Sequence, residues 1–213
     1  MKVLFVIPCK EGNYIVDCVS AIRKLHDDCD ILVVDSASED KSYFQAIQDK
    51  AEVLDINNVH YMDGAIWTAY KYKKEQYTHF ACIQDSVELL VNIYEYCTDT
   101  VYAMSWFPGE PCPDRDKGTT AKLKTHTGLT FPPPYGFAGI FGPMMIAPME
   151  AFDKCFALGM SKVLPDNKIE NNSMERIWGY VWGVLGYDIM ANTVEGRFTG
   201  HHTKIKKTYC ERL

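Results

Sequence analysis

The chain predicts an α/β fold with a mostly parallel central sheet flanked by helices, and three observations predict it. The first ~90 residues alternate short apolar runs with stretches of helical periodicity, which right-handed crossovers turn into a parallel sheet with helices on both faces. Two of the runs, Lys2 to Ile7 and Asp30 to Asp35, are continuously apolar inside, as strands covered on both faces are. The runs stop on polar clusters, and in open sheets of this kind ligands bind at the carboxyl ends of the strands.

The elements follow in order. The first strand runs from Lys2 to Ile7 and ends at Pro8. Ile15, Cys18, Val19, Ile22 and Leu25 recur at helical spacing, predicting an amphipathic helix over Asn13 to His26. The second strand, Asp30 to Asp35, closes on Ser36-Ala37-Ser38-Glu39-Asp40, and a helix through Phe44, Ile47 and Gln48 comes next. A third strand over Glu52 to Ile56 leads into a helix over Gly64 to Gln76 that carries Trp67 and Tyr70. The strand opening at Thr78 packs Phe80, Cys82 and Ile83 and stops on Gln84-Asp85-Ser86. An acid one step past such a run points at the ligand crevice, which makes Asp85 the leading candidate. Its plainer role, with Ser86, is to cap a helix starting near Val87.

The second half is less regular. Val101 to Phe107 reads as a strand, and the proline-rich stretch from Pro108 to Pro134 has no apolar period, so it reads as a long functional loop, a lid or an acceptor loop. Tyr135 to Gly142 is an aromatic, glycine-rich turn, Met144 to Ala147 a short strand and Met149 to Leu158 a helix. Ser173 reads as the N-cap of a helix reaching about Tyr187, which places Glu175 in its first turn. Asp188 to Val194 reads as a last strand. Glu195 to Leu213 is then a tail that holds His201-His202 and the basic run Lys204 to Lys207, taken as a solvated end. No repeat or linker interrupts the chain, so residues 1–213 are expected to form one domain, with a nucleotide-binding half (1–98) and an acceptor and catalytic half (99–213).

Composition narrows the function. A length of 213 residues suits one substantial core, and 47% hydrophobic with 23% charged residues is ordinary for a globular protein in water. A net charge of -6 argues against general nucleic-acid binding, because no basic surplus is available to neutralise phosphates. No run reaches membrane-spanning length, and the N-terminus enters its first strand without a cleavage site, so a cytoplasmic location is expected. The eight cysteines form no C-x-x-C pair and several fall at apolar positions, as small hydrophobes do in a reducing compartment. Zinc is not expected.

Neither G-x-x-x-x-G-K-[ST] nor G-x-G-x-x-G follows the first strand. Instead that strand ends I-P-C-K-E-G, and the second ends V-V-D-S-A-S-E-D. Four further blocks follow in order: M-D-G-A-I-W-T-A-Y-K, I-Q-D-S, F-A-G-I-F-G-P-M-M-I and M-E-R-I-W-G-Y. Together they resemble the nucleotide-sugar-dependent glycosyltransferases of family 2 and the wider GT-A fold. The I-Q-D-S and M-E-R-I-x-G blocks also resemble glycosyltransferase-like frames of large DNA viruses, which would place the protein in the host cytoplasm.

The resemblance implies a hexosyltransferase that moves a sugar from a UDP-sugar to a hydroxyl of a glycan or glycoprotein, assisted by Mn2+ or Mg2+ and inverting the anomeric centre. It implies that Pro8, Cys9 and Glu11 line the uridine pocket, that Asp35 accepts a hydrogen bond from uracil, and that Gly64 and Gln84 approach the donor, with Trp67 or Lys71 nearby. Asp85 would hold the cation. Here the chain departs from the family pattern, because Ile83 stands in place of the first acid of the D-x-D pair, leaving Glu88, His201 or His202 as helpers. Glu175 is the implied base, although the family more often has Glu-Asp where this chain has Met174-Glu175; Asp166 and Glu170 are its alternates. On their own residues, Asp35 also reads as a turn acid, Trp67 as core and Glu175 as an acid on a helix dipole. Three alternatives stay open: a retaining outcome, a sugar nucleotidyltransferase, and a non-catalytic nucleotide-sugar or glycan-binding module of the same fold.

Overall fold

The computed structural model describes residues 1–12, 14–109, 112–131, 137–200 and 203–208. Its centre is a six-stranded sheet built from β1 (Val3–Cys9), β2 (Asp30–Asp35), β3 (Glu52–Leu54), β4 (His79–Cys82), β6 (Tyr102–Ala103) and β9 (Met145–Pro148), in the order β3-β2-β1-β4-β9-β6. The first four strands are parallel; β9 runs antiparallel to both β4 and β6. The buried runs behave as their composition demands: Phe5, Val6, Ile7, Leu32, Val33, Val34 and Phe80 have no exposed surface. Helices α1 (Ile15–Leu25), α2 (Tyr43–Ile47) and α3 (Tyr61–Lys73) are the crossovers between the parallel strands. Two antiparallel ribbons flank the sheet: β5 (Val87–Leu89) pairs with β10 (Ile205–Lys207), and β7 (Trp106–Gly109) pairs with β8 (Phe137–Ile140). No helix among the described residues is long and apolar enough to cross a membrane.

Four expectations are corrected. Within the supposed loop, Pro113–Thr127 is a helix, α4, bounded by a proline in its first turn and by Gly128 in the left-handed conformation (φ 74). Those end signals are the usual ones. The apolar stripe is missing because the buried face of α4 contains Asp116 and Thr119 beside Leu123. Val87 begins a strand rather than a helix, and the basic tail supplies its partner. The run from Val101 to Phe107 breaks into β6 and β7, which pair with different strands. Asp188 to Val194 is a turn in which Asp188 accepts from the N–H groups of Met190 and Ala191, and only Thr193 makes an isolated bridge, to Ala103.

The long helix α6 (Lys168–Val184) also starts earlier than expected, at an Asn167 cap whose side chain accepts from the Glu170 N–H. Ser173 is therefore inside the helix, bonded to the carbonyls of Ile169 and Arg115, and Glu175 lies about two turns in rather than in the first turn. Gly179 sets how close α6 comes to β8, since a Cβ there would fall 1.8 Å from the Ala138 carbonyl oxygen. Helix α5 (Met149–Leu158) brings Phe152 against Trp67, Trp178 and Trp182, and Trp67 is indeed core.

An acid of α3 lies inside this core. Asp63 of α3 has no exposed surface; its Oδ1 accepts from Trp178 Nε1 at 2.7 Å, and its Oδ2 has no partner among the described residues. Burial pushes its pKa up from 3.8 to about 7, partly opposed by the Trp178 hydrogen bond. The folded chain thus binds this proton more tightly than the unfolded one, so stability declines as the pH rises from about 4 to about 7 and stays low above that. A shift of that size sets an upper bound of about 4 kcal/mol. Asp63→Asn is expected to stabilise the protein against urea at pH 8 by up to that amount and to leave it nearly unchanged at pH 4. An equal effect at both pH values would refute a titrating Asp63.

Candidate active site

The carboxyl edge of β2, β1 and β4 gathers most of the side chains that the sequence singles out. Cys9 and Asp35 are register partners at the ends of β1 and β2, and the Ser36 N–H donates to the Cys9 carbonyl at 2.7 Å. Past β1 the chain turns through Glu11 at φ 67, a left-handed conformation that non-glycine residues seldom adopt, and the Glu11 N–H donates to Ser38 Oγ at 2.9 Å. Pro8 is half-buried on the same edge and Cys9 is buried.

Asp35 is the residue whose expected role changes most. It has no exposed surface; Oδ1 accepts from the Tyr43 hydroxyl at 2.8 Å and Oδ2 from the Ser38 N–H at 3.2 Å. Instead of facing an open base pocket, the carboxylate ties the turn after β2 to the start of α2. Gly64, too, is taken up internally: it is buried in α3, and a Cβ there would meet Asn58 Oδ1 at 1.9 Å, so the close approach it permits is to Asn58.

At the end of β4 the geometry is richer. Gln84 Nε2 donates to the Gly142 carbonyl at 3.3 Å, and the Gly142 N–H donates to Glu175 Oε1 at 2.9 Å. A single residue of the turn between β8 and β9 thus links the end of β4 to α6. Glu175 is half-buried, and burial raises its carboxyl pKa, opposed by the Gly142 hydrogen bond and the nearby Arg176 charge. A carboxylate so placed suits proton abstraction.

Just past the end of β4, Asp85 is 3% exposed and lines a recess of about 150 Å³ together with Tyr14, Asp17, Ser86, Glu88, Lys206 and Thr208. Cys18, buried behind it, is held in its thiol form by burial first and by the Asp85 charge second. Lys206 is the lysine that lines this recess; the Lys207 ammonium, next to it on β10, donates to Gln84 Oε1 and, at 2.7 Å, to Ser86 Oγ. Lys207 is the residue the sequence reading missed. A three-residue strand carries too little alternation to signal that its last lysine turns toward the sheet.

These residues do not suit a divalent cation well. Ile83 is fully buried and apolar where a first acid would stand, and Lys207 is bonded to both sequence neighbours of Asp85, placing an ammonium where a second cation would be repelled. No group of three His, Cys, Asp or Glu side chains able to hold a metal occurs among the described residues. The expected helpers His201 and His202 lie outside the described residues, and Glu88 pairs with Lys206 at 2.6 Å. Of the alternate bases, Asp166 and Glu170 are both bound by Lys122 at 2.6 Å, leaving Glu175 as the acid joined to the β4 end.

No protein-family model matches the chain, and no curated protein matches its sequence. Solved structures do. Residues 1–349 of S. aureus TarS in complex with UDP match with a TM-score of 0.51 and 13% identity, over 85% of this chain and 56% of that one. The fold is GT-A. Glucosyl-3-phosphoglycerate synthase from Mycobacterium tuberculosis in complex with Mn2+, UDP and glucosyl-3-phosphoglycerate matches with a TM-score of 0.44 and 15% identity, over 76% of this chain and 67% of that one. The chain spans between 29% and 56% of the lengths of the TarS structures it matches. In a GT-A sheet, the edge that carries Cys9, Asp35, Gln84 and Asp85 is the carboxyl edge of adjacent parallel strands, where ligands of open α/β sheets bind.

Proposed function

We infer that the chain is a glycosyltransferase of the family 2 kind, moving a hexosyl group from a UDP-sugar to a hydroxyl of a glycan or glycoprotein with inversion. The observation that carries this reading is the Gln84–Gly142–Glu175 link, which ties a carboxylate of raised pKa to the end of β4. The donor class is that of the UDP complex of TarS, which shares the fold.

In this reading Glu175 accepts the proton of the acceptor hydroxyl while the hydroxyl oxygen bonds to the anomeric carbon and the bond from that carbon to the UDP oxygen breaks. The departing diphosphate keeps the electron pair. Pro8, Cys9 and the Glu11 turn form one wall of the nucleotide site, and Asp35 acts through that wall by fixing Ser38 and Tyr43. The Gly142 N–H holds the carboxylate of Glu175 in orientation. Stabilising the charge that grows on the diphosphate is the larger share of the barrier reduction, as in other reactions with an anionic leaving group.

Incubation with a panel of UDP-sugars tests the reading. Slow release of UDP is expected, together with a higher melting temperature when UDP is added. Stabilisation without any turnover points instead to a binding module, and pyrophosphate release from UTP and a sugar 1-phosphate to a nucleotidyltransferase.

A further inference from the structure

We propose that Lys207 is the diphosphate-binding cation of this site, and that donor binding therefore proceeds without a divalent metal. The proposal rests on the UDP-sugar reading above and deepens it. A leaving diphosphate needs fixed positive charge at the strand end, and the charge can come from a metal or from a side chain. Two neighbouring observations favour the side chain. Ile83, fully buried in the sheet, cannot ligate a metal at the position where the resemblance puts the first acid. The Lys207 ammonium is already at that strand end, where Gln84 Oε1 and Ser86 Oγ, on either side of Asp85, accept hydrogen bonds from it.

The way Lys207 is delivered makes it a built feature of the site. Its backbone belongs to β10, registered against β5 with Lys207 opposite Val87, Lys206 opposite Glu88 and Ile205 opposite Leu89. The ribbon is closed by the Thr208 N–H donating to the Ser86 carbonyl at 2.9 Å and the Leu90 N–H donating to the Lys204 carbonyl at 2.9 Å. Ile205 is buried and Lys206 is exposed, so the register settles which lysine turns inward. Gln84 then touches both ends of the reaction. Its amide oxygen takes Lys207 and its amide nitrogen leads through Gly142 to Glu175. An ammonium serves as a point charge for phosphate oxygens, which suits a diphosphate that must leave.

Calorimetric titration of the native chain with UDP, in excess chelator and again with Mn2+, tests the proposal alongside Lys207→Met and Lys207→Arg. The expected result is UDP binding in chelator that Mn2+ does not improve. Lys207→Met should weaken it by about 10- to 100-fold, the loss of one charge-assisted contact, and Lys207→Arg should retain most of it. Binding that appears only with Mn2+ overturns the proposal and leaves the UDP-sugar reading standing. Binding in chelator that Lys207→Met does not change, or that Lys207→Arg fails to restore, also overturns it. Absence of UDP binding in both conditions overturns both readings. The chelator comparison uses the native chain, so it decides the metal dependence even if the methionine variant does not fold, and Lys207→Arg still reads the role of the side chain.

Discussion

Glu175→Gln is expected to slow UDP release from the preferred UDP-sugar by about 10²- to 10⁴-fold, the usual contribution of a positioned general base. Glutamine keeps an oxygen to accept from the Gly142 N–H, so the melting temperature and UDP affinity should stay close to those of the native chain. The pH dependence carries a second signature. The base works only when deprotonated, and burial raises its pKa, so the native rate should fall as the pH drops through a value above the ordinary glutamate range. Steady-state UDP release measured across pH checks both points. A Glu175→Gln rate within a few-fold of the native one, with the acid limb unmoved, would remove Glu175 from the chemistry.

Arg176→Met is expected to destabilise the fold by about 3–5 kcal/mol, because it leaves a buried carboxylate without its counter-charge. The Arg176 guanidinium grips Asp116 with two nitrogens, Nε to Oδ2 at 3.0 Å and Nη2 to Oδ1, and the two side chains are 4% and 3% exposed. Burial alone would raise the Asp116 pKa; the Arg176 hydrogen bonds and the Cys112 N–H outweigh it and hold the carboxyl below its usual range. The folded value thus lies under the unfolded one. The stability this group contributes is present above about pH 4 and is lost as the pH falls through the depressed value. Urea unfolding should show the double variant Arg176→Met with Asp116→Leu to be more stable than Arg176→Met alone. If the two variants unfold at the same urea concentration, the pair is not a coupled buried charge. The pair also matters to the site: Arg176 follows Glu175, so gripping α4 fixes the rotation of α6 that aims Glu175 at Gly142.

How much could be read beforehand depended on the kind of signal each residue leaves. Apolar runs such as Phe5 to Ile7 and Leu32 to Val34 are legible because burial on two faces demands them, and α1 is legible because one apolar face recurs every third or fourth residue. Asp85 stood out as an acid just past a strand end, whereas Glu175 was singled out under a helix start that lies about two turns earlier in the fold. Helix α4 was hidden because it packs through an ion pair, and ion pairs have no period. The strand character of Val87–Leu89 was hidden because its partner is more than a hundred residues away.

The sequence by itself determined the strand-helix alternation of the first half and hence the parallel sheet whose carboxyl edge holds the candidate residues, since local apolar period and handed crossovers leave little freedom there. Tertiary structure decided the rest. It turned Asp35 inward to Tyr43 and Ser38, joined Glu175 to Gln84 through one glycine, and drew Lys207 from the tail to the end of β4. Each of those depends on hydrogen bonds between distant segments, whose partners are selected by packing and register and leave no mark in the order of residues.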